Sequence, residues 1–177
     1  MRFSFLLLPL LFLGLVIVSC GSNKETDDTT STTTTTTTWT QQLGSSSEDR
    51  GEGVTVDSSG NIYVTGYTTG GLDGNTNSGD DDLILVKYNS SGTKQWTKQL
   101  GTSSSDIGYG VTVDSSDNIY VTGYTDGGLD GNTSSGGSDF FLLKYNSSGT
   151  KQWTKQLGTS SSDYGRGVTE EDRKSVV

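Results

Sequence analysis

The stretch from Leu43 to Gln99, LGSSSEDRGEGVTVDSSGNIYVTGYTTGGLDGNTNSGDDDLILVKYNSSGTKQWTKQ, is followed at once by a second copy from Leu100 to Gln156. Trp39, Trp96 and Trp153 mark the register at intervals of 57 residues, and 45 of the 57 paired positions are identical. A third copy opens at Leu157 with LGTSSSDYGRGVT and stops at Thr169. A fixed period of this length marks a repeat architecture, in which each unit buries its apolar surface only against its neighbours.

Within one repeat the apolar residues fall into four short runs. Gly53 to Asp57 alternates, with Val54 and Val56 on one face, and Asp57-Ser58-Ser59-Gly60-Asn61 is dense in turn residues. Ile62 to Tyr67 alternates again, so the two runs are read as a hairpin. A long polar loop, Thr68 to Asp82, leads to Leu83-Ile84-Leu85-Val86-Lys87-Tyr88, nearly continuous in apolar residues as a strand covered on both faces should be. Asn89 to Gly92 forms another turn, and Thr93 to Leu100 supplies the fourth strand. Four antiparallel strands, a longer connection and four more predict an all-β chain of propeller blades.

The composition narrows the chemistry. The 177 residues include 25 Gly, one Pro, one Cys and no His. Without His, Ser-His-Asp hydrolysis, Cys-His nucleophiles and His-ligated zinc lose their usual actor. A net charge of −9 argues against a nucleic-acid partner, which needs clustered Lys and Arg. No cofactor is implied.

GVTVDSSGNIYVTGYT, then D-x-x-L-x-K-Y-N-S-S-G-T-K-Q-W with Leu-Gly a few residues on, resembles the SBBP-type β-propeller repeat of bacterial envelope and secreted proteins. The resemblance covers Trp39 to Thr169. It implies a propeller blade and frequent export, and it implies no defined activity and no catalytic residues. Asn89 to Trp96 also echoes the quinoprotein blade motif, with a spacing one residue short.

The N-terminus points to export. Arg2 precedes an apolar run from Phe3 to Val18 that is short for a membrane span and interrupted by Pro9 and Gly14, so residues 1–19 are read as a signal peptide. Ile17-Val18-Ser19-Cys20 resembles the bacterial lipobox, which implies cleavage before Cys20 and lipidation of that residue as the membrane anchor. Residues 20–38, containing GSNKETDDTTSTTTTTTT, have no apolar side chain to bury after Cys20 and are expected to be a flexible tether. Ser22, at position +2 after Cys20, favours the outer membrane under the enterobacterial sorting rule.

Closure of a propeller takes about four to eight blades, and residues 39–169 hold two with partial flanking strands. Two blades alone are expected to leave Leu83 to Val86, or Phe140 to Leu143, uncovered. By register Val113 and Asp114 should recur at 170–171, where Glu170 and Glu171 stand instead. Asp172 to Val177 is what a string resembling a common sequencing adapter encodes, so residues 170–177 are expected to be a non-native tail on a truncated repeat array.

Several residues are candidates for a site. Asp73, Asn75 and Asn77 resemble the first ligands of a Ca²⁺ loop, but Gly falls seventh and Ile84 stands twelfth where a Glu is required, so a solvated turn is the expected role. Trp96 and Trp153 are read as core anchors before ligand platforms, and Lys87 and Lys144 as structural contacts. Of the twelve differences between copies, four fall at 45, 48, 50 and 52 and four at 69, 77, 80 and 81, in the two connections expected at one end of the blade. Asp49, Arg50, Glu52, Asp106 and Tyr109 are therefore the candidate ligand face, for a protein or glycan partner. Asp49 and Asp106 would be the carboxylate pair of the alternative, a propeller hydrolase or lyase; a purely structural envelope repeat is the third reading.

Overall fold

The computed structural model describes residues 38–170. The expected signal peptide, Cys20, the expected tether up to residue 37 and the expected tail from residue 171 lie outside the described residues.

Eight strands follow in order: β1 (Asp49–Val56), β2 (Ile62–Thr68), β3 (Asp82–Tyr88), β4 (Lys94–Leu100), β5 (Asp106–Val113), β6 (Ile119–Thr125), β7 (Asp139–Tyr145) and β8 (Lys151–Leu157). They form two four-stranded antiparallel sheets, β1-β2-β3-β4 and β5-β6-β7-β8, each with neighbours in chain order. This is a blade topology, and the chain is an all-β protein of propeller repeats.

Local chemistry fixes each turn. Asp57 Oδ1 accepts from the Ser59 and Asn61 amides, both at 2.9 Å, while the Tyr63 hydroxyl donates to Oδ2 at 3.0 Å. The same turn in the second blade uses Asp114, Ser116, Asn118 and Tyr120. Its left-handed position is Gly60 (φ 78°) in the first blade and Asp117 (φ 61°) in the second, one of the few non-Gly residues that tolerate it. At the other hairpin Asn89 Oδ1 accepts from the Thr93 amide at 2.8 Å, and Gly92 takes φ 79°.

The blades pack face to face. Pairing register puts Tyr63, Leu83, Leu85 and Trp96 on one face of the first blade, and Ile119, Val121, Phe141 and Leu143 on the opposite face of the second. These two faces supply most of the hydrophobic core. Trp39 and Trp96 each seat on the β-turn glycine of the following blade. A Cβ on Gly92 would lie 2.4 Å from the Trp39 ring, and one on Gly149 would lie 2.9 Å from that of Trp96. The tryptophans are thus anchors between blades. A backbone hydrogen bond adds to the seam, from the Asp106 amide to the Asp81 carbonyl at 2.7 Å. It recurs one repeat later from Asp163 to Ser138 at 2.6 Å.

The uncovered surface is only partly where the sequence places it. Leu83 and Leu85 are fully buried between blades, and Ile84 and Val86 are only 5% and 3% exposed. Trp39, Gln41, Leu43 and Leu72 surround Ile84 and Val86 across a cleft of about 300 Å³. The most exposed strand apolar residues lie on edge strands, Val54 and Val56 on β1 and Leu157 on β8. Val54 is 67% exposed, whereas Val111, the same residue one repeat on, is 7% exposed. In the second blade β7 alternates between buried and half-buried residues, because its outer face lacks the cover that β3 receives.

Candidate functional site

The innermost strand carries the candidate face. The apolar pattern starts the first strand at Gly53, but β1 begins at Asp49 and β5 at Asp106. Positions 50 and 52 are therefore strand residues and not part of a connection. Register shifts between Gly51 and Gly53, and again between Gly108 and Gly110, make Glu52 and Tyr109 the extra residues of β-bulges. Glycine is required after each bulge. A Cβ on Gly53 would lie 2.7 Å from the Tyr109 carbonyl oxygen, and one on Gly110 would lie 3.0 Å from Gly167 Cα. Successive inner strands touch backbone to backbone there, and the bulge side chain stands beside the contact. Glu52, Tyr109 and Arg166 occupy this place in the three repeats.

Around the bulges the variable residues meet each other. The Arg166 guanidinium lies 4.9 Å from the Tyr109 ring centroid and 5.2 Å from that of Tyr164. Tyr124 stands 5.7 Å from Tyr109 and 5.0 Å from Tyr164, the latter edge to face. In the first blade Arg50 lies 5.8 Å from the Tyr67 ring, and its Nε pairs with Glu48 at 2.7 Å. Burial, then Tyr109 and Asp126 nearby, pushes the Tyr124 hydroxyl up to about 12, so it remains a proton donor at neutral pH. Tyr164 is 45% exposed and Arg166 is exposed. Tyr124, Tyr164 and Arg166 were not singled out by the sequence reading. The recurrence of Gly-Glu-Gly, Gly-Tyr-Gly and Gly-Arg-Gly at the 57-residue period is a signal for Arg166, whereas Tyr124 and Tyr164 carry none of their own.

Asp49 and Asp106 act as staples. Asp49 Oδ2 accepts from the Ser45 amide at 2.6 Å, and Oδ1 from the Thr68 hydroxyl at 2.6 Å. Burial works to raise the Asp49 carboxyl, but these hydrogen bonds outweigh it and hold the group below its ordinary value. Asp106 is fully buried and accepts from the Thr102 amide at 2.6 Å and hydroxyl at 2.9 Å. Its burial, helped by the charge of Asp82, pushes the carboxyl up. Asp163 repeats the arrangement with Thr159. A fully buried carboxylate tied to its own connection is not placed to exchange protons with a substrate. The candidate face therefore divides: Arg50, Glu52 and Tyr109 belong to the surface, whereas Asp49 and Asp106 hold up the connection beneath it.

The oxygen-rich loop is engaged in its own fold. Asp73, in a left-handed conformation (φ 56°), pairs with Lys94, which with Thr97 holds its carboxyl below the ordinary value. The Asn75 side-chain amide donates to the Leu72 carbonyl at 2.8 Å, and Asn77 Oδ1 accepts from the Gly79 amide at 2.8 Å. Among the described residues no three acidic, His or Cys side chains gather as a metal cluster. Lys87 and Lys144 lie 5.1 and 5.2 Å from the rings of Tyr63 and Tyr120, a packing role.

Comparison with known proteins agrees with this architecture. A family model, the SBBP beta-propeller repeat, matches residues 38–73 and 95–130. Each match falls at the same place in the 57-residue period, so both repeats are similar to that family. The chain is similar to an uncharacterized WD repeat-containing protein of Acanthamoeba polyphaga mimivirus, 24% identical over 78% of this chain and 13% of that protein. It is also similar to the regulatory protein FlaEY of Caulobacter vibrioides, 28% identical over 56% of this chain and 12% of that protein. The chain spans about an eighth of the length of these curated relatives.

Proposed function

We propose that the chain is a cell-envelope lipoprotein, anchored through Cys20, that displays its SBBP propeller repeats as a non-catalytic binding module. One observation carries the binding reading. Differences between copies at position 48, just before the inner strand, and at 50 and 52 within it alternate with the unchanged Asp49, Gly51 and Gly53. Side chains that vary in this pattern meet in an aromatic and arginine cluster across successive repeats. A scaffold held constant beneath a varied surface is the arrangement of a recognition site. The similarity to a WD repeat-containing protein supports a propeller interaction module. The lipobox at Ile17 to Cys20 supports the anchor. Carboxylate catalysis finds less support, because Asp49 and Asp106 are committed to their connections.

The test is to make the first repeat carry the second repeat's surface, Glu48→Ser with Arg50→Ile and Glu52→Tyr, and to probe glycan and protein arrays. A changed set of bound ligands is expected. An unchanged set would mean that the differences between repeats are drift.

A further inference from the structure

We infer that the inner-strand rim binds an acidic polysaccharide through hexuronate residues, with Arg166 anchoring the carboxylate and Tyr109, Tyr124 and Tyr164 forming the platform for the sugar ring. The inference rests on the binding-module reading above and names the ligand class of that same surface.

The geometry suits a ring that carries one carboxylate. With Tyr109 at 4.9 Å and Tyr164 at 5.2 Å, the guanidinium is held by two aromatic neighbours. A stacked guanidinium keeps its edge N–H donors for bidentate pairing, with little rotamer freedom left to lose. The three tyrosines are not a flat stack. Tyr109 and Tyr124 are inclined at 39°, and Tyr124 and Tyr164 at 85°, so their rings wall a corner. Phenol rings present an apolar body and a polar tip, which match the C–H face and hydroxyl groups of a pyranose. Tyr124, still protonated well above neutral pH, supplies a donor.

Charge separates the ligand classes. The chain has a net charge of −9, and Glu48, Glu52 and Asp126 are exposed in the first and second repeats close in sequence to the rim residues. A phosphate polymer is held through clustered cations and finds a single guanidinium among these rings, whereas one hexuronate unit presents one carboxylate to that guanidinium and one ring to the tyrosines. An acidic peptide would satisfy Arg166 but offers the tyrosine corner no ring from its acidic side chains. In the first repeat the same pair of types, Arg50 and Tyr67, is present at 5.8 Å, but Glu48 already holds the guanidinium. Arg166 is accordingly the anchor.

The experiment uses the full chain, purified in detergent, and calorimetric titration with polygalacturonate oligomers beside matched neutral galactan oligomers. Saturable, salt-sensitive binding to the acidic polymer alone is expected. Arg166→Ala and Tyr109→Ala should each weaken it about tenfold to a hundredfold. Arg166→Lys, which keeps the charge and loses the fork, should fall between, and Lys94→Ala at the Asp73 ion pair should leave binding unchanged. Near-UV circular dichroism of each variant identifies loss of fold, in which case Arg166→Lys decides. Binding that survives Arg166→Ala in a folded chain, or that favours the neutral polymer, overturns the inference. Arg166-dependent capture of acidic peptides in place of the polysaccharide overturns it too, but leaves the binding-module reading standing. A wild-type chain that binds nothing on glycan, peptide and protein arrays overturns both.

Discussion

Val54 and Val111 are the same residue at the same place in two near-identical repeats, and they differ in what covers them. Val54 is 67% exposed and Val111 is 7% exposed. Truncation to alanine removes two carbons from each side chain. At Val111 those carbons leave a packed seam, so the transfer loss and residual cavity together should cost about 2 kcal/mol. At Val54 most of that surface is already in water, and the cost should stay within about 0.5 kcal/mol. Urea unfolding of the full chain in mild detergent, followed by fluorescence of the three tryptophans, measures both variants against the wild type. The midpoint should fall clearly for Val111→Ala and hardly at all for Val54→Ala, with unchanged slopes. Equal losses at the two positions would mean that Val54 is covered as Val111 is, and would refute the assignment of an open face on the first blade.

Other perturbations test the seam, the inner strand and the anchor. Asp106 has its carboxyl pushed up by burial, so the folded chain holds that proton more tightly than the unfolded chain. Its stabilising effect is greatest below about pH 4 and declines as pH rises through the raised value. Asp106→Asn should therefore flatten the fall in urea midpoint between about pH 4 and pH 7; a steeper fall would contradict this. Asp57 and Asp114 run the opposite way, since hydrogen bonds outweigh burial and hold both carboxyls low, and their stability is lost in stronger acid. Gly123→Ala would set a Cβ 1.8 Å from the Ile107 carbonyl oxygen and should cost about 3 kcal/mol. Gly131→Ala, at φ 79° with open space around it, should cost about 1 kcal/mol, and the same denaturation assay ranks the two. Cells fed an alkyne fatty acid should label the wild-type chain, while Cys20→Ser should lose both the label and membrane retention; a labelled Cys20→Ser chain would end the lipoprotein reading.

Much of the blade was legible because its strands announce themselves. Ile62 to Tyr67 alternates, Leu83 to Tyr88 is apolar throughout, and Asp57-Ser58-Ser59-Gly60 and Asn89-Ser90-Ser91-Gly92 are turns by composition. The tryptophan period gave the repeat length, and the anchoring role expected of Trp96 is seen at Gly149. The start of the inner strand was not legible. Asp49-Arg50-Gly51-Glu52-Gly53 has no apolar period, and its two glycines read as loop, yet backbone contact between repeats is what requires Gly53. For the same reason the carboxylates and the surface residues of that segment looked alike. Only burial separates Asp106, a staple, from Tyr109, a rim residue. The expectation that strand three would be uncovered failed for β3 because Trp39 to Leu43 and the Leu72 turn lie over Ile84 and Val86, and held in part for β7, where Phe140 and Leu142 are half-buried.

Face-to-face packing of successive repeats is the claim on which the seam, the rim and the open face all depend, and a single resonance reports it. A Cβ on Gly149 would stand 2.9 Å from Trp96 Cε2 and 3.1 Å from Cδ2, so one Gly149 α-proton points into the face of the indole. In a proton–carbon correlation spectrum of the full chain, that proton should be shifted strongly upfield by the ring current. Trp96→Phe should reduce the shift, and Trp96→Ala should return it to the ordinary glycine range. A Gly149 α-proton at its ordinary position in the folded wild type, unmoved by Trp96→Ala, would contradict the packing of these repeats as successive propeller blades.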